Sequence, residues 1–354
     1  MYNPEFYRGK RVFVTGHTGF KGSWLCRMLI NEGAVITGYS LLPSMEPNLF
    51  SMADIEDKIT SVIGDIRDKE KLRQAFENAG PEIVFHLAAQ PIVRESYADP
   101  VYTYETNVMG TVNILECVRN SDTVKSVVNI TTDKVYRNDE QLQGYKEDDF
   151  LDGYDPYSNS KSCSELVTNS YKRSFLTQKG IAVSTVRAGN VIGGGDFAKD
   201  RIIPDCLRAA SRGEKIIIRN PHAIRPFQHV IEPLAVYLMI AQRQYENIKY
   251  ADSYNIGPDE QDCITVGELA DIFCRHWGND LSYIDDSDPN APHEAAFLKL
   301  NCDKLKRKFN WKPVWNIEKS IEMICRFSKK LDDINAIPEE MDYEIKKYME
   351  EQDG

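Results

Sequence analysis

Tyr157 and Lys161 stand four residues apart in the run Pro156-Tyr157-Ser158-Asn159-Ser160-Lys161. Cys163, Leu166, Val167 and Tyr171 continue an apolar stripe at helical spacing, which predicts that the pair shares one face of a helix. A free tyrosine, with a pKa of about 10, is a poor base at neutral pH. A cation one turn away favours the phenolate. A phenolate held there takes the proton of an alcohol while the alcohol carbon gives up a hydride. On most helices such a pair is only a solvated face. A dinucleotide site and a third polar group would make it chemistry, and the sequence offers both. Thr132-Asp133-Lys134 follow an apolar segment, residues 125–130, and place a hydroxyl, an acid and a base in succession. In open α/β sheets the ends of such strands meet the ligand crevice.

The elements that must position these groups can be read along the chain. Residues 11–15 read as a short buried strand, residues 23–31 as a helix closed by Gly33, and residues 34–39 as the next strand. Between the first two lies Gly16-His17-Thr18-Gly19-Phe20-Lys21-Gly22. Glycines between a strand and a helix allow a tight turn and bring backbone N–H groups to a pyrophosphate. Further strands are expected at 61–63, 82–86, 125–130, 182–187 and 253–256, with helices at 106–119, 156–171 and 231–244 between them. That alternation predicts an α/β fold, a doubly wound parallel sheet of Rossmann type. A smaller lobe is expected to carry a strand at 215–218 and a helix at 266–277, opened by Thr265 with Glu268 three residues later. The expected division is 1–190 plus about 229–257 for the dinucleotide-binding domain and about 191–228 plus 258–330 for the smaller C-terminal lobe. Residues 331–354 read as a charged helical tail, frayed from Met341 onward.

Composition narrows the function. The chain has 354 residues, 42% of them hydrophobic and 27% charged, with a net charge of −11. Nucleic acid would want a basic face, so it is not an expected partner. No apolar run approaches the roughly 20 residues of a membrane span, and the start lacks the apolar core of a signal peptide. Eight cysteines are scattered without CxxC pairs or histidines at zinc spacing. They are expected to be buried thiols in a reducing cytoplasm, and no metal is expected.

The GxxGxxG spacing, taken with Tyr157 and Lys161, resembles the extended, sugar-nucleotide-modifying branch of the short-chain dehydrogenase/reductase superfamily. Thr132-Asp133-Lys134 is similar to the Thr-Asp-Glu of the sugar-nucleotide 4,6-dehydratases, with Lys in place of Glu. The likeness runs to about Pro313. It implies NAD as cofactor, held by residues 16–22, by Asp65 and Ile66 at the adenine, and by Leu87, Ala88 and Ala89 beside the nicotinamide ribose. It implies that Asn107 kinks or hydrates its helix. It also implies substrate contacts from Gln90, Asn190, Arg201, Arg225, His293 and Glu294. The expected reaction runs through Tyr157, Lys161 and Thr132 at C4, Asp133 as acid toward the C6 hydroxyl, and Lys134 as base at C5. CDP-glucose is the expected substrate. Hexoses linked to dTDP, GDP or UDP are the alternatives, and a 4-epimerase on the same frame needs neither Asp133 nor Lys134. A homodimer is implied, through helices starting near Glu105 and Pro156, with a tetramer left open.

One position departs from that pattern. Such sites carry an acid at the end of the second strand for the adenosine ribose. Here the residues are Tyr39-Ser40, and no Lys or Arg lies between Arg27 and Lys58 to meet a 2′-phosphate. NAD is therefore expected over NADP, with one ribose contact weakened. Equilibrium titration should give an NAD dissociation constant above about 1 μM, and a tighter one would show that nothing is missing.

Overall fold

The computed structural model describes residues 2–278, 280–287 and 297–352. Its strands are β1 (Arg11–Thr15), β2 (Val35–Ser40), β3 (Thr60–Ile63), β4 (Ile83–His86), β5 (Ser126–Ile130), β6 (Ala182–Ala188), β7 (Val191–Ile192), β8 (Ile216–Ile218), β9 (Ile224–Pro226), β10 (Gln228–His229), β11 (Ser253–Ile256), β12 (Cys263–Thr265) and β13 (Tyr283–Asp285). Seven of them form one parallel sheet in the order β11-β6-β5-β4-β1-β2-β3. Every residue of β4, β5 and β6 is buried, because helices cover both faces. The winding reverses between β1 and β4. Thr15 stands in register with Tyr39 on one side and His86 on the other, so the crevice opens where the glycine-rich turn leaves β1.

The helix after that turn, Phe20–Asn31, begins three residues earlier than the spacing predicts, directly at the Gly19 cap. Gly33 ends it with φ +73°. The expected helix at 106–119 is two pieces, a π-helical turn at Glu105–Met109 running into Gly110–Arg119. Helix Pro156–Tyr171 forms as expected, capped by the Asp155 carboxylate, which accepts from Ser158 N–H. Its buried face is not the apolar stripe. Ser158, Ser160, Ser162, Ser164 and Thr168 face inward with Lys161 and Glu165, whereas Leu166 is exposed and Cys163, Val167 and Tyr171 are half-buried. Small hydroxyl residues let the helix lie close to the sheet while bonding across it. Asn129 Nδ2 on β5 donates to Ser164 Oγ at 3.1 Å and to Thr168 Oγ1 at 2.8 Å.

Beyond residue 190 the helices Ile202–Arg212, Val266–Trp277 and Ile317–Ser328 enclose a second core that includes Ile203, Ile216, Leu269, Phe273, Ile321 and Ile324. The short pairs β7/β10, β9/β12 and β8/β13 border it. The Thr265–Glu268 capping box is present.

The C-terminal segment is not frayed. Ile337–Gln352 is one helix lying along Phe20–Asn31. Ile337, Met341, Ile345 and Tyr348 form a buried stripe at helical spacing, and the charges that dominate the segment's composition lie mainly on its other side. Arg27 Nε donates to Asp342 at 2.7 Å, and Tyr348 Oη donates to the buried Glu232 at 2.9 Å. Met341→Ala should cost about 2–5 kcal/mol in a urea melt. A frayed tail would leave the midpoint unchanged.

Candidate active site

The glycine-rich turn is built by backbone proximity. Gly16 has φ +78°, and a Cβ there would lie 2.8 Å from Ala88 N. A Cβ on Gly22 would lie 2.0 Å from the Gly16 carbonyl oxygen. Exposed Gly19 meets nothing nearer than that same oxygen at 3.4 Å, so the mouth of the turn stays open. Strand, turn and helix N-terminus thus leave a cradle that fits a dinucleotide pyrophosphate. The side chains in the turn mostly face elsewhere. The His17 ring packs on Gly38 and shares a 2.8 Å hydrogen bond with Ser61. Burial pushes that imidazole down to about 4. Phe20 abuts Gly193 of the loop after β6. Thr18 donates to Leu41 O at 2.9 Å, so the Ser40 hydroxyl, 3.0 Å away, is the donor to Thr18. The Ser40 hydroxyl hydrogen, at the position where an acid would meet the ribose, is therefore already engaged.

Asp65 lies half-buried after β3, gripped by the backbone and guanidinium of Arg67, whose hydrogen bonds hold the carboxyl below its usual range. Ile66 is buried against Gly110. Leu87, Ala88 and Ala89 remain partly accessible at the switch point. The amide of buried Gln90 donates to Ile92 O and Thr103 Oγ1 and accepts from Ile92 N–H, so it clamps its own loop. Asn107 is buried in the π turn. Its Oδ1 accepts from Gln90 N–H at 2.8 Å, and its Nδ2 donates to Gln90 O and Ser160 Oγ.

The reacting groups meet at the end of β5. Tyr157 stands beside Thr132 and Asp133, and Thr132 donates to Asp133 Oδ1 at 2.9 Å. Asp133 is 1% exposed and its Oδ2 has no partner. Lys134 Nζ lies 4.0 Å from Asp133 Oδ1. Lys161 donates to Ile130 O at 3.2 Å. Burial holds Tyr157 up at about 12, with Thr132 and Arg201 pulling it back and Asp133 opposing them. Burial also lowers Lys161 to about 8, while Glu165 opposes the fall. The side chain of Lys134 is 35% exposed, not enclosed as expected for a neutral amine. The strongly lowered amine is Lys21, pushed to about 7 by burial and then by the charges of Arg201 and Lys161. Lys21, Lys161 and Arg201 therefore give the crevice a positive side in a chain of net charge −11. The sequence assigned Lys21 to the turn, and nothing in its spacing revealed that it reaches the reacting groups.

Of the expected substrate contacts, Asn190 Oδ1 is buried without a partner beside the turn into β7, as a ligand-binding amide would be. Arg201 donates to the buried carboxylate of Asp196 at 2.9 Å, an anchor the sequence reading missed although both residues flank the same loop. Arg225 is buried on β9 and donates to Ile224 O. His293 and Glu294 lie outside the described residues.

Comparisons with known proteins fit this geometry. The family described as GDP-mannose 4,6 dehydratase matches residues 13–324. A CDP-glucose 4,6-dehydratase of Salmonella typhimurium is 50% identical over 335 residues, covering 93% of each chain. A Thermotoga maritima UDP-glucose 4-epimerase solved with UDP-glucose superposes with TM-score 0.79 at 22% identity, over 91% of this chain and 99% of the other. A Bacillus anthracis dTDP-glucose 4,6-dehydratase solved with NAD gives 0.75 at 22%, over 91% and 97%. With the family match spanning most of the chain and both lobes, this chain belongs to the GDP-mannose 4,6 dehydratase family.

Proposed function

We propose that this chain is an NAD-dependent sugar-nucleotide 4,6-dehydratase that converts CDP-glucose to CDP-4-keto-6-deoxyglucose. The observation that carries the reaction is the buried Asp133, hydrogen-bonded to Thr132 beside Tyr157, with one carboxylate oxygen left unpartnered. A 4-epimerase has no use for an acid there. The choice of CDP-glucose rests on the identity to the Salmonella relative of that name.

The residues divide the work. Thr132 and Tyr157 hold the C4 hydroxyl, and Tyr157 takes its proton. With burial keeping the phenol neutral, that transfer needs positive charge close by. Lys161 and Lys21 stand on that side of the crevice. When bound, the nicotinamide supplies a hydride acceptor for C4 and a hydride donor for C6. The 4-ketone acidifies the hydrogen on C5. Lys134 removes it as a neutral amine, and Asp133 protonates the departing C6 hydroxyl through Oδ2. One proton moved from the ammonium to the carboxylate before the elimination frees the amine and loads the acid, so the step balances without a further proton from solvent. The backbone of residues 16–22 holds the pyrophosphate of NAD, Asp65 and Ile66 bracket its adenine, and residues 87–89 border the nicotinamide ribose. Asn190, Arg201 and Arg225 serve the diphosphate and nucleoside of the substrate. Residues of about 191–228 plus 258–330 form the smaller lobe that carries Arg201 and Arg225, with Asn190 at its edge.

Two copies are proposed to pair through the outward faces of Pro100–Tyr104, Glu105–Met109 and Pro156–Tyr171, where Val101, Met109 and Leu166 are exposed. The enzyme is assigned to the cytoplasm, where its eight cysteines stay thiols.

Purified protein with NAD should remove one water from CDP-glucose, read by mass spectrometry, with dTDP-, GDP- and UDP-hexoses as parallel samples. Water loss from another nucleotide alone would move the substrate. Isomerisation without water loss would make the chain an epimerase. Lys134→Met should lower the rate of water loss about 10²–10⁴-fold while oxidation at C4 still occurs, read as NADH absorbance on mixing with substrate. Wild-type turnover in that variant would take the base role from Lys134.

A further inference from the structure

Glu165 lies one helical turn past Lys161 and is fully buried. Its carboxylate takes four hydrogen bonds. Thr131 Oγ1 donates to Oε1 at 2.5 Å and Thr185 Oγ1 to Oε2 at 2.6 Å, while Arg187 Nε and Nη2 donate to Oε1 and Oε2, both at 2.9 Å. Arg187 is 2% exposed and uses Nη1 on Tyr136 Oη at 2.7 Å and on Glu147 O at 2.9 Å. The ring of Tyr136 lies 5.0 Å from the guanidinium, and its hydroxyl donates to Asn255 Oδ1 at 2.6 Å. One buried ion pair therefore grips Thr131 and Tyr136, the two ends of the loop that carries Thr132, Asp133 and Lys134.

Stability alone does not account for this pair. Two charges lose much of their hydration on burial, and a well-packed apolar pair of similar volume is often as stable. What apolar residues could not do is hold the loop at both ends and set a negative charge beside Lys161. We propose that Glu165 is a positioning residue of the reaction: it keeps Lys161 as an ammonium and, with Arg187, fixes the loop bearing Thr132, Asp133 and Lys134. The inference rests on the functional reading above. Groups facing Lys161 come from several elements. Tyr157 and Glu165 share its helix, Lys21 comes from Phe20–Asn31, and His86 comes from β4, kept neutral by burial. Glu165 is the only negative one of these, and Lys21 opposes it whenever charged. Removing the carboxylate lowers the pH at which Lys161 gives up its proton, so the ammonium is lost earlier as pH rises.

The test follows Lys161 directly. NMR of the whole protein labelled at lysine Cε, with the signal assigned by its loss in Lys161→Met, gives the titration midpoint without substrate. Glu165→Gln should lower that midpoint by about one pH unit or more. In assays of water loss, the alkaline limb of kcat/KM should move to lower pH by the same amount. A midpoint equal to wild type in folded Glu165→Gln overturns the proposal, even if activity falls. Should that variant not fold because Arg187 is stranded, Glu165→Leu with Arg187→Met replaces the whole pair; since the positive end of the pair leaves with the negative end that faces Lys161, a smaller downward shift is required of it. The NMR result needs no turnover. A failure of CDP-glucose to lose water therefore overturns the functional reading through a different measurement from the one that overturns this proposal.

Discussion

The site depends on one close approach. The Gly16 backbone runs so near Ala88 that a single methyl group on Gly16 would lie 2.8 Å from Ala88 N. That proximity sets the end of β1 against the end of β4 at the point where the winding reverses. It is fixed by polar contacts. Ala88 N–H donates to Thr15 Oγ1, which pairs with His86 Nδ1 at 2.8 Å, and His86 Nε2 pairs with Thr111 Oγ1 at 3.2 Å. Thr111 donates in turn to Asn107 O at 2.7 Å. With Thr111 as that donor, His86 carries its proton on Nε2 and accepts from Thr15 on Nδ1. A neutral ring satisfies every partner, and burial keeps it neutral by pushing its pKa down to about 3. A chain of hydrogen bonds thus runs from the cradle through the sheet to the π turn, and Asn107 continues it to Gln90 and the catalytic helix.

Charge is arranged on the same principle of local control. The protein is acidic overall, yet Lys21, Lys161 and Arg201 gather around one crevice. Burial, and then repulsion from Arg201 and Lys161, makes the Lys21 proton easier to lose, so Lys21 falls to about 7. The arrangement is at ease only when negative charge is added, and a diphosphate supplies it. Asp196 and Asp133 temper the cluster without neutralising it.

Long, periodic features were legible in the sequence. The strands, the glycine-rich turn, the Thr265 cap and the Tyr157/Lys161 helix follow from spacing that any parallel sheet of this type must obey. Two readings failed for physical reasons. The inward face of the Pro156–Tyr171 helix is polar because it bonds to the sheet and to neighbouring helices through serines and threonines, so an apolar stripe pointed the wrong way. The C-terminal segment looked frayed because its charges outnumber the few apolar residues that dock it. The unexpected features, Lys21 beside Lys161 and Glu165 with Arg187, are meetings of residues on different elements, which composition and spacing do not encode.

In the proposed reaction, a buried acid and a partly exposed base each suit the step they would perform. An aspartate with one oxygen fixed by Thr132 and the other unpartnered has a single direction in which to deliver a proton, toward the substrate. A lysine tethered only by a 4.0 Å contact keeps the freedom of its long side chain and can reach a carbon whose position changes as the ring flattens at C4. Replacing a glutamate with that lysine lengthens the reach. It also makes the resting pair attractive where two carboxylates would repel, so the proton for the leaving hydroxyl is stored next to the acid that delivers it.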